Sequence, residues 1–553
     1  MVPIMNTDEL TVIKKRNFLF AQIDRPYLIV AVLLIVFVSG AVITGRQGPY
    51  HVLYDYWEHT AAIKEMSRDL LNPQNPLLQI DGSTTPRYTP YVFIAAFFKK
   101  FIFNDLTTLL SVISIVNFIV LVIGIYRFCA DYFHDSRMPL YCLVSLLFLW
   151  GGDFNYSCEY NLRFLTYTLF YPSMIAFSFS FLGLYYFLSF VRFGSTRAYV
   201  KYCIVALFVV VSHPLTGSFF LLAIFLLAIT EGPRPWRNLF YLGINVVIVF
   251  ACLLAWPYFH FLSALGNSVA NPWCAENRVY LYRFSNVYKM GPAVLGVPVV
   301  FVFMIKRKFS FISLGFLICA SIYVFTYKPN IYMGERYIFY TLFFMHMALA
   351  WYLRQMNVLS PAVIKKTLLQ LSERNLHVLL FAVIVGGAVT GQLTKIVCEQ
   401  SGYTVRFTPR PVIRPYVNPL DKFHVLKDRF KQGSVVLSDP LTAWVLPTLS
   451  DAKIVALYHD NPLVPDNLQR TMDSMAIYAA KTSLSERRKI LERYQVTHVL
   501  LNYARMIEND VNQINNYCLN FKIPDEAIRD LNLLGRVVFK NETFTLYRIN
   551  RKE

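Results

Sequence analysis

Long apolar runs recur along the first two thirds of the chain and stop near Leu393. A run of about twenty apolar residues is long enough to cross a bilayer, and only helices or closed barrels satisfy their backbone there. The repeated runs therefore demand a polytopic helical bundle. The spanning stretches read as 27–44, 107–127, 138–151, 168–191, 199–213, 214–230, 238–262, 287–306, 309–326, 336–353 and 376–394, about eleven in all. The pair at 199–230 is split by His213-Pro214, where proline favours a tight turn over one long helix. Of 553 residues, 56% are hydrophobic and 16% charged, a balance foreign to soluble chains.

The formal net charge of +19 does not point to nucleic acid, because the basic residues cluster at helix ends. There they set topology and meet anionic headgroups, which makes the bilayer the partner. Alternate connections carry Lys14, Lys15 and Arg16, then Arg127 and Arg137, then Arg192, Arg197 and Lys201. Arg234 and Arg237, Lys306, Arg307 and Lys308, and Arg354, Lys365, Lys366 and Arg374 follow. Those segments lie inside. The first run has no small-residue cleavage site and reads as a retained signal anchor. The outer face then receives the first loop (45–106), Gly151–Arg163, a loop around 260–286, and the chain beyond about 394. In a bacterium that face is extracytoplasmic at the plasma membrane; in a eukaryote it is lumenal. Nine cysteines show no metal-ligand spacing. Cys203, Cys252 and Cys319 sit in apolar helices. Cys158, Cys274, Cys398 and Cys518 fall outside, and spacing selects no disulfide pairing.

The chain divides into a membrane module, 1–400, and an α/β domain, 401–553. Pro409, Pro411, Pro415 and Pro419 mark the linker. Runs 434–438, 453–457 and 497–501 read as strands, Leu484–Tyr494 as a helix, and the end as a hairpin about Lys540-Asn541-Glu542. No GxGxxG or GxxxxGK[ST] is present, so nucleotide binding has no motif. Asp439, His459 and Asp460 follow strand ends and read as turn and cap residues. The domain is expected to act as a lid or an acceptor-docking surface. The fold class is thus mainly α, with a small C-terminal α/β part.

Chemistry concentrates in the outer segments. Asp55 and His59 share a helical stripe with Ile63, Met66 and Leu70, which should pack inward. Glu58, Glu65 and Asp69 lie on another stripe, expected to be solvated. An ionisable group held at a membrane boundary and facing protein is a functional candidate. The stretch 88–103 carries Lys99 and Lys100, is short for a span, and reads as an interfacial helix. Asp153, with Glu159 and Arg163, opens the second outer loop; Gly151-Gly152-Asp153 equally resembles a loop cap. His213 before Pro214 reads either as a turn residue or as a group facing Asp55. Glu335-Arg336 opens a helix on the outer side, where the Arg336 fork suits a phosphate. Lys289, Arg278, Arg283 and Lys328 add weaker candidates.

This layout resembles the GT-C superfamily of polyprenyl-phosphate-sugar-dependent glycosyltransferases. The likeness rests on Asp55 with His59, Pro86–Pro90 leading into the second juxtamembrane helix, Asp153, His213-Pro214 and Glu335-Arg336-Tyr337. It implies a transferase, hexosyl or pentosyl, that moves a sugar from a polyprenyl-phosphate donor to a hydroxyl of a glycan, lipid or protein, with inversion. Asp55 would be the general base or a metal contact, Asp153 a second-loop acid, and Arg336 the donor-phosphate ligand beside Glu335. Glu58, Glu159 and His213 complete the candidates. Neither loop holds a compact Asp-x-Asp, so the resemblance leaves the metal open; Mg or Mn, if bound, would sit on Asp55 and Asp153. Desolvation of Asp55 is expected to raise its basicity. Two rival readings are a lipid-linked sugar transporter or flippase, and an O-antigen-ligase-like enzyme using a diphosphate donor. The first predicts internal repeats and broken midplane helices.

Overall fold

The computed structural model describes residues 24–47, 55–80, 85–266, 280–327, 334–360, 373–406, 412–415, 421–459, 461, 463–503 and 523–550. Lys14, Lys15, Arg16, Cys274, Arg278, Lys328, Lys365, Lys366, Asp460 and Cys518 lie outside them. The apolar runs do become helices. Among the described residues, six are long and apolar enough to cross a membrane: Arg25–Gly45, Leu106–Phe133, Pro172–Phe193, Pro235–Leu254, Val287–Ile305 and Leu376–Gln400. These make the chain an integral membrane protein. Other expected spans form shorter helices, among them Met138–Phe148, Pro214–Thr230 and Ser310–Phe325. Helix Tyr337–Gln355 is buried along nearly its whole length and forms the centre of the bundle.

Two expected spans are interrupted. The run from 168 does not start as a span; helix Leu162–Thr168 ends first, and Pro172 opens the next helix at its first position. The run from 287 is broken by a 3-10 turn, Gly291–Leu295. Gly291 has φ +56°, and its backbone packs directly on Gly151, where a side chain on either residue would collide. The His213-Pro214 break is a turn as expected. His213 ends helix Thr196–Ser212 and caps helix Pro214–Thr230, its Nδ1 accepting from the Thr216 amide at 3.2 Å.

The C-terminal part forms a five-stranded mixed sheet. Strands β1 (Tyr403–Arg406) and β2 (Val412–Pro415) make a separate antiparallel pair. The sheet proper uses β3 (Val435–Leu437), β4 (Lys453–Ile454), β5 (His498–Asn502), β6 (Gly535–Lys540) and β7 (Phe544–Ile549), in the order β4-β3-β5-β7-β6. The expected hairpin is β6–β7, and helix Leu484–Arg493 starts with a capping box at Ser483.

The first outer loop folds into two helices, Tyr56–Arg68 and Pro90–Phe101. The first of them is a wedge. Ala62, Ile63 and Met66 pack with Tyr88, Val92, Leu109 and Tyr171 on the membrane bundle. Trp57 and Ala61 instead join a core with Leu446, Ile454, Leu500 and Phe544 from the tail. The loop also extends the sheet edge: Leu78 bridges Ile454, whose amide donates to Leu77 O at 2.8 Å. A short edge strand is thereby covered rather than left open. Polar contacts pin the same interface. Thr60 meets Thr448 at 2.7 Å, Lys64 meets Asp451 at 3.1 Å, and Lys453 meets Glu65 at 3.0 Å.

Candidate active site

This wedge overturns the expectation that Glu58 is solvated. Its stripe faces the docked tail, and Glu58 is only 4% exposed. A buried carboxylate must be paired, and Glu58 is. One oxygen takes the Arg87 guanidinium; the other accepts Trp444 Nε1 at 2.9 Å and His459 Nδ1 at 2.7 Å. Glu65 is half-buried in its pairs with Lys453 and Arg68, and only Asp69 is solvated as expected.

His459 is therefore more than a turn residue. The tail carries it to within 3.3 Å of Asp55 as well. Asp55 occupies the cap position of helix Tyr56–Arg68, yet its carboxylate makes no capping bond. That leaves its oxygens less engaged than those of Glu58. Asp55, His459, Arg87 and Arg336 each expose about a quarter of their side chains, while Glu58 exposes 5%. Asp55, His459 and Arg87 thus flank Glu58, which lies behind them.

The electrostatics correct a second expectation. Burial does push Asp55 upward, but the His459 and Arg87 charges outweigh it and hold the carboxyl below its usual value. Glu58 is likewise held at about 2, burial being overcome by Arg87, His459 and the hydrogen bonds from His459 and Trp444. His459 is the converse: burial lowers it, yet Glu58 and Asp55 raise it. His59, one turn along from Asp55, is pushed well down by burial and by Arg87 and stays neutral. Its ring lies 4.9 Å from Tyr171, and its Nδ1 is buried with no hydrogen-bond partner among the described residues.

Arg336 approaches the same cluster from the bundle. Burial raises the Cys158 thiol, and that thiol senses both the Arg336 guanidinium, which hydrogen-bonds it, and the Asp55 carboxylate. His213, half-buried at the turn, senses Arg336, Arg87 and Asp55. Arg336 also sits 5.9 Å over the Tyr156 ring and 3.9 Å from the buried Glu335. Asp55, His59 and His213 thus lie within electrostatic reach of one another, and Arg336 within reach of His213.

Asp153 belongs to another cluster. Arg163 pairs with it and with Glu399; Lys395 lies at 3.7 Å and Asn161 at 3.2 Å. Tyr167 donates to Glu399. Glu159 accepts the amides of Phe154 and Asn155, both at 2.9 Å, and burial together with Asp153 pushes it well above the usual carboxyl range. Gly151 and Gly152 donate to Lys289 O, at 3.0 and 3.3 Å, which seats segment 280–291 beside this loop. Lys289 is buried against Tyr280 and Phe154, and Arg283 lies over Tyr280. Cys158 and Cys398 are free thiols.

Three participants escaped the sequence reading: Arg87, Trp444 and the reach of His459. Arg87 lies between Pro86 and Pro90, inside the very segment that carried the resemblance. A cation there, in the same loop as two acids, was the available signal.

The architecture matches solved structures. The apo oligosaccharyltransferase of Archaeoglobus fulgidus superposes with a TM-score of 0.50 and 14% identity, over 85% of this chain and 69% of that chain. Its complex with Zn and sulfate gives 0.51 and 13%, over 86% and 68%. The fold is GT-C-like. No protein-family model and no curated protein matches the chain. As to a metal, no group of three or more His, Cys, Asp and Glu among the described residues is arranged to hold one. Asp55 and Asp153, the pair expected to hold any such ion, have different partners here: His459 lies against Asp55, and Arg163 and Lys395 lie against Asp153.

Proposed function

We propose that this protein is a membrane glycosyltransferase that moves a sugar from a polyprenyl-phosphate donor to an acceptor hydroxyl at the extracytoplasmic face. One observation carries the reading: the Asp55 carboxylate keeps a quarter of its surface open beside His459, while the Arg336 guanidinium hydrogen-bonds Cys158, a thiol that also senses Asp55. The GT-C-like fold supports it.

The donor tail lies among the spans, and Arg336 meets the phosphate. As the bond from the anomeric carbon to the phosphate oxygen breaks, negative charge grows on the phosphate. A fixed guanidinium stabilises that charge more in the transition state than in the ground state. The acceptor oxygen bonds to the opposite face of the anomeric carbon, inverting it. Its proton passes to Asp55, and polyprenyl phosphate leaves.

Asp55 is a weak base, because His459 and Arg87 hold its pKa down. That suits a late proton transfer. A hydroxyl that has begun to bond to an electron-poor carbon is strongly acidic, and a weak base then suffices.

The test uses the full chain in vesicles of its host membrane, with endogenous donors and acceptors and products read by mass spectrometry. Asp55→Asn should insert normally and yield no glycosylated product. Near-normal product would remove the assignment. Supplying the sugar on a monophosphate or a diphosphate carrier separates this reading from a ligase-like one.

A further inference from the structure

The tail contributes a side chain to the first-loop site, and its chemistry can be read from its neighbours. His459 Nδ1 faces two carboxylates, Glu58 Oε1 at 2.7 Å and Asp55 Oδ1 at 3.3 Å. Both neighbours only accept, so Nδ1 carries hydrogen; it donates to Glu58 and faces Asp55 as an ion pair. The ring itself is held on edge by Trp444 at 4.9 Å and faces Tyr458 at 4.9 Å. Glu58 is anchored in turn by Arg87 and by Trp444 Nε1. An unbroken relay of contacts therefore runs from Arg87 and Trp444 through Glu58 and His459 to Asp55.

The strong arm of this donor is spent on Glu58. Its charge also faces Asp55 Oδ1 at 3.3 Å, which restrains one oxygen without saturating the carboxylate. We propose that His459 is a positioning residue: the α/β tail inserts it between Glu58 and Asp55, so the acid is aimed at the acceptor only while the tail is docked. This deepens the transferase reading and rests on it. Charge balance supports the assignment. Among Asp55, Glu58, Arg87 and His459, two ionised acids face one guanidinium and one imidazolium, so these four sum to neutral.

Fastening the tail does not need His459. Trp57 and Ala61 share a core with it, and Thr60, Lys64, Glu65 and Leu78 contact it elsewhere. Docking and aiming are therefore separable. The experiment compares the full-length wild type, His459→Ala, His459→Asn and Asp55→Asn. Turnover is read by mass spectrometry in the same vesicles, binding of undecaprenyl monophosphate in detergent micelles, and docking by limited proteolysis. Asparagine places an N–H near the position of Nδ1, so it is the conservative replacement.

His459→Ala should lose about 100-fold in turnover, since a carboxylate misplaced by an ångström costs on that order, and His459→Asn should recover to within about tenfold of wild type. Carrier affinity should stay within about twofold in both, as expected when only the chemical step is affected. Turnover of His459→Ala near wild type, or equal depression in Ala and Asn, overturns the proposal. So does a tail cleaved freely in His459→Ala, which would make the residue a fastener. If Asp55→Asn itself turns over normally, the transferase reading falls first.

Discussion

Two acidic clusters gather around the loops of this bundle, and they are built oppositely. Around Asp153, Arg163 joins two carboxylates, Tyr167 and Asn161 fill remaining acceptor sites, and Glu399 ties the last long helix to the second outer loop. Around Asp55, the satisfied acid is Glu58, while Asp55 itself keeps one 3.3 Å contact and a quarter of its surface open. The first arrangement is a clasp. The second is a clasp with a loose acid in front of it. A carboxylate does chemistry only if some of its lone pairs await a substrate, so the difference in engagement separates the candidates that sequence had placed together.

The largest expected effect comes from exchanging the same atom pair in each cluster. Asp55→Asn should cost about 10²–10⁴ in turnover, the usual worth of a positioned acid or base, with little change in thermal stability. Asp153→Asn should do the reverse. It weakens the clasp on a half-buried Arg163 and should cost roughly 3–5 kcal/mol at most, because Glu399 still pairs with the guanidinium. Turnover per folded molecule should stay near wild type. Melting in detergent and product formation, measured side by side, would break the comparison if both variants failed in the same way.

The next effect concerns the neutral-to-ionic contrast behind Asp55. Glu58→Gln removes a charge that faces both Arg87 and His459, and should loosen the tail and depress turnover together, on the order of 2–4 kcal/mol. The same pairing makes docking pH-dependent. Glu58 is lowered from 4.5 to about 2 on folding, so its contribution is intact above pH 4.5 and drains away as pH falls toward 2. His459 is raised from 6.5, so its contribution is intact below 6.5 and is lost as pH climbs through the raised value. Protection of the tail from protease should therefore peak between those limits and fall on both sides. A flat profile would detach these two groups from docking.

How far the sequence reached follows from which contacts are local. The apolar periodicity marked the long helices, and the alternation of strands and helices marked the sheet, because both are short-range patterns. The inward stripe of Asp55, His59, Ile63 and Met66 was legible for the same reason. The face of Glu58 was not. Its burial depends on Trp444 and His459, some four hundred positions away, and a helix covered on two sides hides one of them from any periodicity argument. His459 at a strand end looked like a turn residue because its partners are not local. The reversed shift of Asp55 has the same origin, since desolvation can be anticipated from a boundary position but opposing charges from Arg87 and His459 cannot.

The smallest effect is the sharpest check on the contrast. Glu159 is fully buried, and burial together with Asp153 pushes its carboxyl well above the usual range, toward the protonated form. A protonated acid and a glutamine have nearly the same shape, and both carry a carbonyl oxygen that can accept the amides of Phe154 and Asn155. Glu159→Gln keeps both amide bonds but turns an NH2 toward Asn161 Nδ2, which donates to Glu159 Oε1, so it should cost on the order of 1 kcal/mol. The identical change at Glu58 strips an ion from its two cations. If calorimetry found the two substitutions equally damaging, Glu159 would have to be ionised, and the outer loop would hold a second active carboxylate in place of a neutral strut.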